Sequence, residues 1–365
     1  MKWRSLALLH NLCIEEPIVT EYLAIVPPED ERALPLLQSS KALARMVGSF
    51  TDQFKRKVRP SLLLAKSDAP AGALSAEALV AFRNSVALST IVQASQEFAV
   101  RAQAFNLLRY SNYFQIYPTV ASDDDYLITR TPSLLAINEP KEFRGQTSPE
   151  LAPVTPRGVF YDEELFEALV VAWKERYAKE KKKDWQTRAL FRSLEMAFLA
   201  SGIPFENNAT IYDYGASISL WVSALEILFH PGKANVNKKR VMAGIGSYRF
   251  NAPALSKRRY RIHLQKAKVS VTLVQKIAAQ LYDVRNDFLH GNDVAVSSLF
   301  PFERTRRHPL TLYAPMVYKT ALAGRLALVR GDDYSAYSMT QFMSVRNLEE
   351  ALLSSLRDLE PRRKA

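Results

Sequence analysis

Arg285-Asn286-Asp287-Phe288-Leu289-His290-Gly291 is the most telling stretch of this chain. It closes a run in which Val274, Ile277, Ala278, Leu281, Val284 and Phe288 recur at helical spacing. The run predicts a helix from about Ser270 to His290, with Gly291 and Asn292 as its C-terminal stop. The helix carries an arginine, which can hold a phosphate through two parallel hydrogen bonds. It also carries a histidine, which can move protons near neutral pH. Arg285 and His290 lie about 140° apart on an ideal helix, since each residue turns about 100°. They flank a groove rather than share a narrow face, and a symmetric partner could bring a second pair across it.

On either side of this helix, nearly everything after Tyr161 predicts helix. Asp162-Glu163-Glu164 places negative charge at a helix start, where the dipole favours it, and that helix runs to about Ala178. The run Lys179-Glu180-Lys181-Lys182-Lys183 reads as its solvated end. A second helix spans about Gln186 to Ser201 and stops at Gly202 and Pro204. Asn208 or Thr210 caps a longer one reaching Phe229, with Ile211, Tyr214, Ile218, Trp221, Val222, Leu225 and Phe229 on one stripe. His230-Pro231-Gly232 ends it. A short helix is expected around Lys238 to Ile245, followed by a loop, and further helices near 310 to 330 and 339 to 358.

The N-terminal part reads differently. Residues 3 to 12 suggest a helix, and residues 15 to 70 give only a weak signal broken by Pro27-Pro28 and Pro35. Ser75 caps a long helical pattern from Ala76 to about Leu108. Tyr113 to Tyr117 and Tyr126 to Thr129 read as short strands around a turn at Asp123-Asp124-Asp125. Four prolines and two glycines between 139 and 158 predict irregular chain there, and a boundary near residue 155. The expected fold class is therefore mainly α. Residues 1–155 form an α-rich N-terminal sensing or regulatory region with a few short strands, and residues 156–365 a helical domain.

With 365 residues, 48% hydrophobic and 24% charged, the chain can bury a substantial core. Cys13 is its single cysteine, so no internal disulfide forms; a reducing, cytoplasmic setting is expected and a cysteine-rich zinc site is excluded. No apolar stretch approaches the roughly 18 residues of a membrane span. The net charge of +12 is concentrated: no Asp or Glu occurs between Pro231 and Lys268. That stretch holds Lys233, Lys238, Lys239, Arg240, Arg249, Lys257, Arg258, Arg259, Arg261, Lys266 and Lys268, interleaved with Tyr248, Phe250 and Tyr260. Cations neutralise phosphates and rings stack on unpaired bases, so Lys238, Lys239, Arg240, Arg249, Lys257, Arg258, Arg259, Tyr260 and Arg261 are candidate RNA contacts. A flexible basic loop that keeps the protein in solution is the bland alternative.

Other chemistries find no motif. The five histidines form no His-x-x-x-His or His-Glu-x-x-His pattern. Gly244-Ile245-Gly246 lacks the third glycine of a dinucleotide fingerprint, and neither a phosphate loop nor a Gly-x-Ser-x-Gly turn is present. No metal site and no cofactor are expected.

Arg285 to His290 resembles the Arg-x4-His signature of HEPN domains. Trp221-Val222-Ser223-Ala224-Leu225-Glu226-Ile227-Leu228-Phe229 looks like the helix that precedes this signature in the ApeA-like branch, and the likeness extends over roughly residues 160 to 330. Gly145-Gln146-Thr147-Ser148-Pro149 is weakly similar to stretches upstream of that domain. The resemblance implies a helical bundle that dimerises so that two motif helices face each other. It also implies a metal-independent endoribonuclease serving phage defence, abortive infection or a toxin-type stress response, with a regulatory partner or phage trigger. In that chemistry the ribose 2′-OH attacks the adjacent phosphorus. Arg285 steadies the charged phosphorane, His290 is general acid or base, and Asn286 orients phosphate or histidine. The product carries a 2′,3′-cyclic phosphate, and single-stranded RNA or tRNA is the expected substrate. Glu226, Tyr282 and Asp287 are candidate supports.

Each residue also has a plainer use. Arg285 can pair with an acid on a neighbouring helix, His290 can cap the helix end, and Asn286 can be structural. Asp287 can be a solvated carboxylate, Glu226 a buried partner for an arginine, and Tyr282 packing. The alternative function is a non-catalytic HEPN module that binds RNA, a nucleotide or a protein partner.

Overall fold

Trp3–Leu9 forms the first strand, β1, where helix was expected. It lies in a four-stranded antiparallel sheet of order β1-β4-β3-β2, with β2 at Ile18–Val19, β3 at Leu23–Val26 and β4 at Ser61–Lys66. The computed structural model describes residues 2–50, 56–101, 113–116, 119–122, 126–129, 161–179, 184–203, 209–233, 235–264, 267–303, 308–328 and 336–359. The helix preference of Leu and Ala in β1 is worth only tenths of a kcal/mol per residue. The ladder to β4, with a register shift between Ser5 and Ala7, outweighs it. The sheet was hidden in the sequence because β3 is buried at all four positions and β4 at five of six. A strand covered on both faces shows a continuous apolar run and no alternation.

Helices α1 (Leu34–Ser39) and α2 (Lys41–Gly48) come after β3. Leu43, Met46 and Val47 of α2 join Leu8, Ala24, Val26, Leu62 and Leu64 in one core, with Trp3, Leu36, Leu37 and Phe50 packed against it. A separate hairpin pairs β5 (Thr119–Ser122) with β6 (Tyr126–Thr129). The second strand matches the expectation. The first begins at Thr119, not Tyr113, since Tyr113 and Phe114 are buried outside any strand. Asp123 to Asp125, the irregular stretch 139 to 158, the boundary near 155, Lys181 to Lys183 and the tail beyond 359 lie outside the described residues.

The chain divides into two units. One contains Met1–Leu79 and the β5–β6 hairpin; the other runs from Val80 through the long helix α3 (Ala76–Arg101) and takes in most of the chain beyond Phe160. In the second unit Phe82 of α3 meets the rings of Phe166 and Trp173 edge-on at 6.4 and 6.1 Å. Buried Ser85, Ser89, Thr90 and Ser95 each donate to the carbonyl four residues back, so no hydroxyl of that set is left unsatisfied.

The rest of the second unit is mainly helical, as expected for α4 (Glu163–Trp173, continued by a π turn, Lys174–Ala178), α5 (Trp185–Ser201), α6 (Ile211–Leu228) and α7 (Lys238–Ile245), whereas α8 (Pro253–Ser256) falls where a loop was expected. A hairpin of β7 (Tyr260–Leu264) and β8 (Ala267–Val271) comes next, then α9 (Leu273–His290), α10 (Leu310–Leu326) and α11 (Met339–Leu359). Asp162 and Asp184 cap α4 and α5 by accepting the Leu165 and Thr187 N–H groups. Every residue of α10 from Leu310 to Ala323 is buried, which makes it the centre about which α6, α7 and α9 pack. Its one charge in that span, Lys319, forms an ion pair with Asp162 and donates to the Ser344 carbonyl at 2.7 Å, while Ser344 Oγ donates to Asp162 at 2.8 Å. That set ties α10 to the start of α4 and to α11. Among the described residues no helix is long and apolar enough to cross a membrane.

Burial holds the His10 imidazole, packed edge-on against Phe50 at 5.1 Å, well below its ordinary value, at about 4. The folded protein therefore keeps His10 neutral while the unfolded chain takes up a proton below about 6.5, so its contribution to stability is lost as pH falls from 6.5 towards 4. Denaturant unfolding at pH 6.5 and 5.0 should show a decline that is smaller in His10→Leu by about 2 kcal/mol.

Candidate functional site

Helix α9 is fixed at both ends. Thr272 and Gln275 form a capping box, with the Thr272 N–H donating to Gln275 Oε1 at 2.9 Å and the Gln275 N–H to Thr272 Oγ1 at 3.4 Å. At the other end Gly291 takes a left-handed conformation with φ of 70°. The Asn292 N–H reaches the Asp287 carbonyl at 2.9 Å and the Gly291 N–H the Phe288 carbonyl at 3.3 Å. That is a Schellman closure, and it terminates the helix just after His290.

Between these ends α9 lies against α6. Gly215 near the start of α6 touches Phe288 near the end of α9: a Cβ added at Gly215 would stand 2.4 Å from Phe288 Cε1. Further along the contact, Glu226 of α6 faces Arg285 of α9, with Glu226 Oε2 3.6 Å from Arg285 Nη2. Arg285 Nη1 donates to Asn286 Oδ1 at 3.1 Å, and Arg285 Nε is enclosed without a hydrogen-bond partner. Tyr282, one turn earlier, is 3% exposed. Burial, and after it the Glu226 carboxylate beside it, raise the Tyr282 phenol well above its usual value, so it is a neutral hydroxyl.

The structure thus gathers Arg285, Asn286, Glu226 and Tyr282. Arg285 and Glu226 remain about a quarter exposed, at 25% and 22% of their side chains. A charge-assisted hydrogen bond closes to about 2.7–2.9 Å, so a 3.6 Å contact leaves the guanidinium short of full pairing. A phosphate arriving at the open edge can compete for it. The remaining motif residues sit apart from this group. His290 is exposed in the last turn beside Leu289, itself 59% exposed, and its ring makes no hydrogen bond among the described residues. Asp287 accepts from Asn292 Nδ2 at 3.0 Å, which commits it to the helix stop and not to the histidine. Among the described residues no three His, Cys, Asp or Glu side chains converge.

The basic segment is more ordered than a loop. After α7 come α8 and the β7–β8 hairpin, and Glu349 of α11 accepts the Asn251 and Ala252 N–H groups at 2.6 and 3.3 Å to hold the start of α8. Two of the aromatic residues that the sequence offered for base stacking are core: Tyr248 and Phe250 are 4% and 5% exposed and pack edge-on at 4.9 Å. Tyr260 is half-buried, its ring 5.6 Å from Phe302 with the Arg258 guanidinium 5.6 Å over it. The cations also differ from one another. Lys238 is tied to Asp283 at 2.6 Å beneath Tyr282, and Arg240 Nε donates to the Phe229 carbonyl at 2.7 Å. Arg259 donates to the Ser256 carbonyl. Lys239, Arg249, Lys257, Arg258 and Arg261 are exposed.

His263 carries no motif in the sequence, and its pairing in the hairpin had one available signal. That signal was strict alternation in Tyr260-Arg261-Ile262-His263-Leu264, of which only Ile262 is fully buried.

The close approach at Gly215 gives a direct check on the α6–α9 contact. Gly215→Ala should lower stability by about 1–3 kcal/mol despite alanine's better helix preference, because the Phe288 ring must move. Thermal melts should show Phe288→Leu recovering part of that loss in the Gly215→Ala background.

No family model, no curated protein and no solved structure matches this chain.

Proposed function

We propose that this protein is a metal-independent endoribonuclease of the HEPN type, acting in phage defence or a toxin-type stress response. The observation that carries the reading is the setting of Arg285: a half-buried guanidinium, incompletely paired with Glu226 and braced by Asn286, five residues before an exposed histidine on a rigidly terminated helix. Arg285 binds the scissile phosphate and offsets the charge that develops when the 2′-OH attacks phosphorus. Glu226 keeps the arginine aligned while the site is empty. His290 passes a proton to the leaving 5′-oxygen or takes one from the 2′-OH. Since His290 stands clear of Arg285 on the outer end of α9, a second copy facing this helix end would complete the cleft, which fits a homodimer.

A second reading is favoured by one contact. Arg285 already has an acid partner in Glu226, as a purely structural arginine would. On that reading the domain binds RNA, a nucleotide or a protein without cleaving.

Purified protein incubated with tRNA and a labelled single-stranded RNA in EDTA should yield fragments ending in 2′,3′-cyclic phosphate and leave DNA intact. His290→Ala should lower the rate at least about a hundredfold, since general acid–base catalysis contributes roughly 10²–10⁴. Arg285→Ala should do the same. Equal cleavage by both variants would sink the assignment, and tight binding with no cleavage by the wild type would establish the binding module.

A further inference from the structure

The β7–β8 hairpin carries its two kinds of residue on opposite faces. Its register pairs Tyr260 with Val271, Arg261 with Ser270, Ile262 with Val269 and His263 with Lys268. Ile262 and Val271 are buried and Tyr260 and Val269 half-buried on the inner face, where β7 packs on α9. Arg261, His263, Lys268 and Ser270 are all exposed on the outer face. Arg261 and His263 stand two residues apart on one strand, about 7 Å. His263 and Lys268 are directly opposed, with Cβ atoms about 5 Å apart.

Several features separate this face from an ordinary solvated surface. It is braced from beneath, by Tyr260 against Phe302 and by the α9 packing. The side chains of Arg261, Lys268 and Lys257 have no acid or hydrogen-bond partner among the described residues, unlike those of Lys238 and Arg240. Like charges so placed repel, and a surface shaped only for solubility intersperses the two signs. The stretch from Pro231 to Lys268 contains no acid at all. The rings nearby are already engaged: Tyr248 and Phe250 are in the core, and the half-buried Tyr260 ring packs with Phe302 and the Arg258 guanidinium.

We propose that the outer face of the β7–β8 ribbon binds RNA through its phosphate backbone, without reading bases, and holds long RNA for the α9 site. This rests on the ribonuclease reading for its choice of RNA. Arg261 and Lys268 supply the charge, and His263 and Ser270 add hydrogen-bonding groups. The consequence for substrate choice is that length and ionic strength govern capture, while sequence preference, where present, arises at the Arg285–His290 end.

The test uses the full chain carrying His290→Ala, so that RNA survives the measurement, with and without Arg261→Ser and Lys268→Ser. Both added positions are exposed, and unchanged melting curves confirm the fold. Anisotropy with labelled oligo(U), oligo(A) and oligo(C) should give affinities within about threefold of one another. The double substitution should weaken all three roughly tenfold at low salt and flatten the slope of log affinity against log salt by about 1.4, twice the single-strand increment per contact. An unchanged affinity and slope would overturn the proposal, as would a strong homopolymer preference that survives the substitutions. A parallel assay separates this outcome from failure of the ribonuclease reading. With His290 intact, the double variant should lose several-fold more of its rate on long RNA than on a dinucleotide, each measured against the wild type. If neither protein cuts any RNA while binding still falls, the ribbon stands and the ribonuclease reading fails. If both cut and bind alike, the ribbon alone fails.

Discussion

A lysine in the middle of a helix that is buried from Leu310 to Ala323 sets the terms for the second unit. Lys319 cannot lie among the core residues of α10 as an isolated charge, because an unpaired ammonium in that environment costs several kcal/mol. Asp162 answers it, and Asp162 is also the N-cap of α4 and the acceptor for Ser344 of α11. One carboxylate therefore fixes the start of one helix and the pairing of two others. The remaining helices arrange themselves around α10 largely by burial, which is strong but non-directional, with a few directional bonds such as Ser193 of α5 donating to the Ala224 carbonyl of α6 at 2.7 Å.

The candidate site derives from that packing at one remove. Because α6 and α9 both rest on α10, they also rest on each other, and Gly215 lets them approach until the Phe288 ring occupies the place of a side chain. The same contact sets Glu226 opposite Arg285 and encloses Tyr282 behind them. The arginine is thus neither a free surface cation nor a saturated core ion pair. This intermediate state, half-buried and loosely paired, is what makes a phosphate a credible competitor for it. The histidine owes its position to a different device, the left-handed Gly291 that stops the helix and leaves the last turn exposed.

Much of the helical part was legible because amphipathic helices write their period into the sequence. The span Lys238 to Ile245, the cap at Thr210 and the stop at Gly291 all use local chemistry: an Asn, Thr or Gly at a helix end works through bonds a few residues away. The N-terminal sheet was not legible. The strand β1 carries helix-forming Leu and Ala, and β3 and β4 show unbroken apolar runs, so the information that makes them strands lies in each other. The β7–β8 ribbon sits between these cases: its alternation was present, but its charges suggested an open loop.

Composition and short-range spacing were enough to specify the mainly helical class and the ends of the principal helices. They also placed Arg285, Asn286 and His290 in the last two turns of α9 and marked the acid-free stretch before them. Such features survive in any context, because the interactions behind them span only a few residues. Which of those residues meet was left to the folded chain. Folding joined Arg285 to Glu226 across more than fifty residues of chain, gave Asp287 to the helix stop, drew Tyr248 and Phe250 into the core, and set Arg261 and Lys268 on one face of a ribbon. Partners so far apart in sequence are chosen by packing and charge compensation in three dimensions, and no local pattern encodes that choice.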